Sequence, residues 1–381
     1  MTEHRTSFLL REILPKQAAG KWLLLFFLIV LAFSSPACSE GRWTTVDPDA
    51  GAPAEGFLVD EFSGTVTATF LGDCTLGGEE KSRNNALGFV RRVQENGYGF
   101  PMRYLKALAL NDDLTVANLE GVLTDRDLPK VEKKYNFSGP TAFTEILSAG
   151  GIDGVTLANN HSHDYGEAGY RDTKKALEAA RIGWFGTEAP AVWMNGDGLK
   201  IGFIGVSSSL SGNRFRRYRE QMQLLREIGC SAVVTVMHAG TEYDYTPDSY
   251  QKQIASRAVS CGTDLVIGHH PHVVQGFEMM DGVPVVYSLG NCSFGATTRA
   301  KDSDALVVQA DLTFEESTLV DVSLRFYPIS ITSDSRYNNY SPAFLSGTDA
   351  DRVFRKMRES TGVDPTPLAG EVPSPEPEPE K

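Results

Sequence analysis

Three of the seven histidines in this 381-residue chain fall within four positions, in the stretch VIGHHPHVVQG at 266–276. A core histidine usually stands alone with its ring nitrogens satisfied. His269, His270 and His272, packed at the mouth of an apolar run, instead suggest a bound ion or a bound phosphate. The remaining polar clusters sort the same way. LGDCT (71–75), NLEG (118–121), NNHSHDYG (159–166), HAGTEYDY (238–245) and SLGN (288–291) each follow an apolar run, and only His4 among the histidines lies outside such a cluster.

The residue types fix the chemistry further. Asp73, Glu120, Asn160, His161, His163, His238, Glu242, His269, His270 and His272 offer the oxygen and neutral nitrogen donors that suit Mn, Fe or Zn. No thiolate cluster points to a structural zinc site. Pro271 stiffens its loop, and the His270–Pro271–His272 spacing lets two rings face one ion, or one ring face each of two. Such ions, about 3.5–4 Å apart, clamp a phosphate oxygen and activate water for attack. Glu120 closes a buried run, so it must be paired or bound to metal, because a lone buried carboxylate is costly.

Donors so far apart in sequence need a scaffold that collects them. Short β-branched runs at 65–70, 114–118, 154–158, 200–206, 232–237, 264–268 and 283–289 read as strands. Several are apolar on both faces, as in a sheet covered by helices on each side. Helical stretches lie between them and mostly end in Gly, the usual C-terminal stop. This alternation predicts largely parallel pairing, with antiparallel strands from about 305 to 331 closing one edge. In such a sheet the carboxyl ends of the strands share one rim, where ligands bind.

The bulk composition bounds the function. Apolar residues make up 41% of the chain, enough for a substantial core. With 36 Lys+Arg against 49 Asp+Glu, the net charge is −13. That disfavours a nucleic-acid partner or a general anionic-membrane surface binder, but not one phosphate ester held by a metal. Basic residues, then WLLLFFLIVLAF and SSPACSE, make residues 1–38 a secretory signal, a lipoprotein signal cleaved at Cys38, or an uncleaved anchor. In each case the body of the protein is expected outside the cytoplasm, membrane-associated or secreted. Residues 39–60 read as a Gly/Pro-rich tether, 61–335 as the domain, 336–361 as a C-terminal extension and 362–381 as a disordered Pro/Glu-rich tail. Cys230 and Cys261 each precede a strand, which leaves open a disulfide between them or two small buried thiols.

The ordered set GD, NLEG, NNHSHDYGEAG, HAGTEY, GHHPHVVQGFE and YSLGN resembles the CapA family of bacterial capsule or poly-γ-glutamate synthesis proteins, which is related to the calcineurin-like metallophosphoesterases. The resemblance spans about residues 62 to 330 and implies a four-layer α/β sandwich with a metal centre of one or two ions at the strand ends. It implies Asp73, Glu120, Asn160, His238, His270 and His272 as metal ligands and His161 as the group facing the leaving group. It places His269 and Glu242 beside them, orienting the ligands. One departure is plain. The related enzymes begin Asp-x-His, whereas this chain has Asp73-Cys74-Thr75, a gap that His163 or Glu242 would have to fill. The implied activity is hydrolysis of a phosphoester or of an amide in an envelope polymer. The alternative is a non-catalytic assembly or export subunit that binds a polyanionic polymer through a residual metal site, beside membrane synthase subunits.

Overall fold

The computed structural model describes residues 41–49, 61–82 and 85–373. The signal segment with Cys38, residues 50–60 of the tether and the last residues of the tail lie outside the described residues. In chain order the strands begin with β1 (Arg42–Thr45), β2 (Gly64–Thr75), β3 (Leu114–Leu119), β4 (Val122–Leu123), β5 (Ser138–Gly139) and β6 (Gly154–Thr156). Next come β7 (Gly183–Phe185), β8 (Ala191–Met194), β9 (Lys200–Ser207), β10 (Ala232–His238), β11 (Leu265–His269) and β12 (Phe277–Met280). The last are β13 (Val283–Val286), β14 (Asn291–Phe294), β15 (Asp304–Glu315), β16 (Thr318–Ser330) and β17 (Ala343–Phe344). The α-helices are α1 (Phe89–Asn96), α2 (Lys106–Ala109), α3 (Thr144–Gly150), α4 (Gly166–Ala179), α5 (Gly212–Glu227), α6 (Ser249–Ser260) and α7 (Gly347–Thr361).

Two sheets carry the molecule. One runs β1-β8-β9-β10-β11-β13-β12; the other runs β17-β16-β15-β2-β3-β6-β7, with β14 paired to β2. Period-two alternation explains how they stack, because successive side chains leave a strand on opposite faces. Along β10, Val234 and Val236 enter the core shared with Val66, Ala68 and Phe70 of β2. Val233 and Met237 face outward, against Tyr218 and Leu225 of α5 and Ile254 of α6. On the far side, Leu71 and Cys74 of β2 meet Phe89, Ile146, Leu147 and Leu177 of α1, α3 and α4. The result is helix, sheet, sheet, helix, the four-layer α/β sandwich implied by the sequence resemblance.

β9, β10 and β11 are parallel, as are β2, β3, β6 and β7. β15 and β16 form the expected antiparallel pair, and β17 extends beyond them at the edge.

Three expectations need correction. Residues 42–45, read as tether, form β1, and Trp43 packs against Phe185 and Phe203 at ring-centroid distances of 6.4 and 4.9 Å. A single Trp amid Gly, Pro and Asp gave too little pattern to mark a strand. Residues 336–361 do not merely follow the domain, because Val353, Phe354 and Met357 of α7 complete the shared core. The tail reading begins too early, since Ala369 bridges to Phe326 and Gly370 lies against the Tyr327 ring. Cys230 and Cys261 are free thiols, as are Cys74 and Cys292. Among the described residues no helix is long and apolar enough to cross a membrane.

The direction of β1 is set by its neighbours. It pairs antiparallel with β8, Arg42 opposite Met194, and β8 pairs antiparallel with β9, Met194 opposite Lys200. Arg42 therefore lies at the end of the sheet where β9 begins.

Candidate metal centre

The carboxyl ends of β2, β3, β6, β10 and β11 bring the separate motifs to one rim. Gly72 makes this approach possible: a Cβ there would lie 2.3 Å from the Gly290 carbonyl oxygen. Through this contact the Asp73 amide donates to Gly290 O at 3.0 Å, and Asp73 falls in register with Asn291 of β14. Asp73 is fully buried. His269 Nδ1 lies 3.2 Å from one of its carboxylate oxygens, and His272 Nδ1 lies 3.3 Å from the other. Asn118 Nδ2 donates to Asp73 Oδ1 at 2.7 Å and lies 3.2 Å from His238 Nδ1. On its other side, His238 Nε2 lies 2.7 Å from Asn160 Oδ1 and 3.0 Å from His270 Nδ1. Asn291 Oδ1 holds His272 Nδ1 at 2.9 Å.

His270 and His272 have φ of 98° and 58°, in the left-handed region that side chains rarely adopt. Such positions cost about 1–3 kcal/mol each and persist where surrounding structure over-determines them. Here two of them flank Pro271 and turn both rings toward Glu120.

Glu120 carries the clearest sign of an absent partner. Its side chain is completely buried, and neither carboxylate oxygen has a hydrogen-bond partner among the described residues. His238 Nε2 stands 3.6 Å from Oε1, and His161 Nε2 stands 3.9 Å from it. Ligand atoms of Glu120, His270 and His272 all lie within 4.8 Å of one another. A buried carboxylate with both oxygens unsatisfied, faced by imidazoles, fits a divalent cation.

The protonation pattern agrees. Burial pushes Glu120 up to about 8. Burial also lowers His238 well below the usual imidazole range, and lowers His270, which keeps both rings neutral and able to ligate. For His272 burial acts downward, but the facing Glu120 and Asp73 carboxylates outweigh it and raise it to about 10. For Asp73 burial acts upward, yet the rings of His269, His272 and His238 hold it well below the carboxylate range.

His161 is held separately. Its amide donates to Asn159 Oδ1 at 3.0 Å, and its Nδ1 lies 2.7 Å from Asp164 Oδ2. Lys133 reaches the same group, 3.2 Å from His161 Nδ1 and donating to the Asn160 carbonyl at 2.8 Å, and it pairs with Asp164. Phe137 stacks on the imidazole at 4.3 Å. These contacts occupy Nδ1 and leave Nε2 facing Glu120.

The structure thus brings Asp73, Glu120, Asn160, His161, His238, His269, His270 and His272 together. Two expected contributors differ. His163 turns away, pairing with Glu167 at 3.1 Å and stacking on Tyr170 at 4.2 Å, so it does not fill the position left by Thr75. Glu242 is exposed, and it bears on Glu120 and His270 through its charge rather than by contact. Sequence reasoning missed Asn118, Asn159, Asp164 and Asn291 as individual residues, although each lies inside a strand-end motif. Lys133 had no such signal, because it arrives from a loop outside every motif.

With known proteins the chain shares the following. A family model described as "Bacterial capsule synthesis protein PGA_cap" matches residues 67–296. Identity with the capsule biosynthesis protein CapA of Bacillus anthracis is 28% over 326 residues, covering 78% of this chain and 74% of that one. Identity with the PGA biosynthesis protein CapA of Bacillus subtilis is 26% over 261 residues, covering 62% of this chain and 66% of that one. A probable polyglutamine synthesis accessory protein of Mycobacterium tuberculosis is 27% identical over 252 residues, covering 56% of this chain and 66% of that one. The crystal structure of TT1561 of Thermus thermophilus aligns with a TM-score of 0.37 and 11% identity over 69% of this chain and 99% of that one, a likeness too weak to carry an argument.

Proposed function

Because this chain belongs to the bacterial capsule synthesis protein family PGA_cap, we propose that it serves capsule or poly-γ-glutamate synthesis as a metal-dependent hydrolase outside the cytoplasm. Its substrate is a phosphoester or an amide of the envelope polymer. The observation that carries this reading is Glu120, a buried carboxylate with both oxygens unsatisfied beside His270 and His272. These three residues would hold the cation, with Asp73, His238 and Asn160 completing its surroundings. A divalent ion there supplies Lewis acidity toward a phosphoryl or amide oxygen and lowers the pKa of water. His161 acts from the side, its Nδ1 fixed by Asp164 and Lys133, and its Nε2 is the atom from which a proton reaches the leaving group. His269 keeps the Asp73 carboxylate in place. The extracytoplasmic location rests on the basic and apolar pattern of residues 1–38.

The test is direct. Purified protein is supplied with Mn, Fe or Zn, its metal content is measured, and turnover is assayed on an aryl phosphate and on an oligo-γ-glutamate. Protein that takes up none of the three metals overturns the reading. A second reading has its own support in Thr75, which stands where the related enzymes carry another imidazole. Metal uptake with no turnover on either substrate selects that reading, a polymer-binding assembly subunit.

A further inference from the structure

A second feature opens beside the rim. Between the ends of β6 and β9 and the first turns of α5 lies a cavity of about 320 Å³, whose wall includes Asn159, Ser207, Gln221, Arg214 and Arg217. Its position relative to the metal centre follows from strand register. Ser207 pairs with His238 across β9 and β10, and the Ser208 amide donates to the His238 carbonyl at 3.1 Å. On the opposite wall, Asn159 donates to Asn118 Oδ1 at 2.9 Å, and its own side-chain oxygen accepts the His161 amide. The cavity therefore sits one to two strand spacings from His238, about 5–10 Å.

The wall has the chemistry of an anion site. Arg214 donates to Ser209 Oγ at 3.2 Å, and neither Arg214 nor Arg217 has a carboxylate within ion-pair distance among the described residues. Glu188, a carboxylate in the wall, is engaged by the Tyr170 hydroxyl. Both guanidiniums are exposed at the start of α5, open to a ligand from solvent. Guanidinium groups match the planar geometry of carboxylate and phosphate oxygens.

We propose that this cavity is an anion subsite, in which Arg214 and Arg217 hold a carboxylate or phosphate of the substrate chain while a neighbouring linkage lies at the rim. The subsite rests on the proposed function and adds the residues that select the substrate. An extended α-linked chain advances about 3.3–3.6 Å per residue and a γ-linked one further, since each unit adds two backbone carbons, so the cavity reaches a group about one or two γ-linked units from the reacting one. The substrate class is thus a repeating polyanion rather than an isolated ester.

The experiment compares wild type with an Arg214→Gln/Arg217→Gln double variant, both metal-loaded. Each is titrated calorimetrically with a short oligo-γ-glutamate and, separately, with inorganic phosphate. The double variant is expected to keep its metal content and melting temperature and to lose about tenfold or more in affinity for an anionic probe. A loss confined to the oligomer identifies the carboxylates of the chain as the ligand, and a loss confined to phosphate identifies a phosphate group. A single Arg217→Lys variant recovers part of the affinity, because charge is kept and the guanidinium fork is lost. Equal affinity of wild type and double variant for both probes overturns the subsite, and so does a wild type that binds neither. Failure of the metal reading shows separately, as unchanged metal content and turnover in His270→Ala.

Discussion

At the scale of residues, the site separates atoms that hold from atoms that orient. Glu120→Gln, His270→Ala and His272→Ala each remove a donor from the cluster of Glu120, His270 and His272. Each is expected to lower metal affinity by more than the roughly 10–100-fold that loss of an orienting partner costs. His269→Ala falls within that smaller range, since its ring touches Asp73. His161→Ala keeps its metal and loses turnover, and His163→Ala keeps both. Metal analysis beside a turnover assay distinguishes all of these. A proton prediction follows from the same atoms. With Glu120 raised to about 8 by burial and His272 to about 10 by its facing carboxylates, the site carries protons at neutral pH that a cation must displace. Metal uptake should release protons and weaken as pH falls through about 10 and further through about 8. Calorimetry in buffers of different ionisation enthalpy measures that release. The donor types were readable in the sequence because chemistry restricts them to a few kinds. The turning away of His163 was not, because the local turn, rather than its spacing from His161, decides which way its ring faces, toward Glu167 and Tyr170. Lys133 was invisible for a different reason: its role is created by the fold.

Among the elements that sequence patterning missed, β1 and α7 both pack against the core shared by the two sheets. β1 lays the Trp43 ring against Gly183 of β7, where a Cβ would come within 2.3 Å of the indole. Gly183→Ala should therefore displace the ring. Trp43→Ala should cost toward the lower end of the roughly 3–5 kcal/mol seen for large aromatic truncations, since the residue is only partly buried. Urea denaturation at constant m-value measures both. α7 is fastened by Asp304, which meets Arg352 at 2.7 Å and Lys356 at 2.8 Å. For Asp304 burial acts upward, but these two cations outweigh it and depress the carboxyl. Its stabilising contribution is therefore present above the ordinary carboxylate range and is lost as pH falls through the depressed value. Asp304→Asn should cost about 1–2 kcal/mol at neutral pH, discounted because Arg352 is partly exposed, and the difference from wild type should shrink in acid. Strands such as β10 and β11 were legible because continuous β-branched runs have few other uses. α7 was not, because its apolar residues Val353, Phe354 and Met357 are spaced among seven charged ones.

Considered whole, the described residues form a sandwich with the candidate metal centre at one pole and their first strand starting at the other. Arg42 lies where β9 begins, whereas Ser207 and His238 lie where β9 and β10 end. A sandwich held at the Arg42 end of its sheet would present the rim on its opposite side. A polymer bound at the rim, as proposed, would lie on the side of the sandwich away from Arg42. Immobilising the full chain on beads through an N-terminal tag should leave its affinity for oligo-γ-glutamate equal to that in free solution, for short and long oligomers alike. Grafting it instead through a cysteine placed at exposed Glu242 should shut out the long oligomers first. The same polarity separates two requirements: residues near Arg42 can change without moving the side chains at the far ends of β9 and β10.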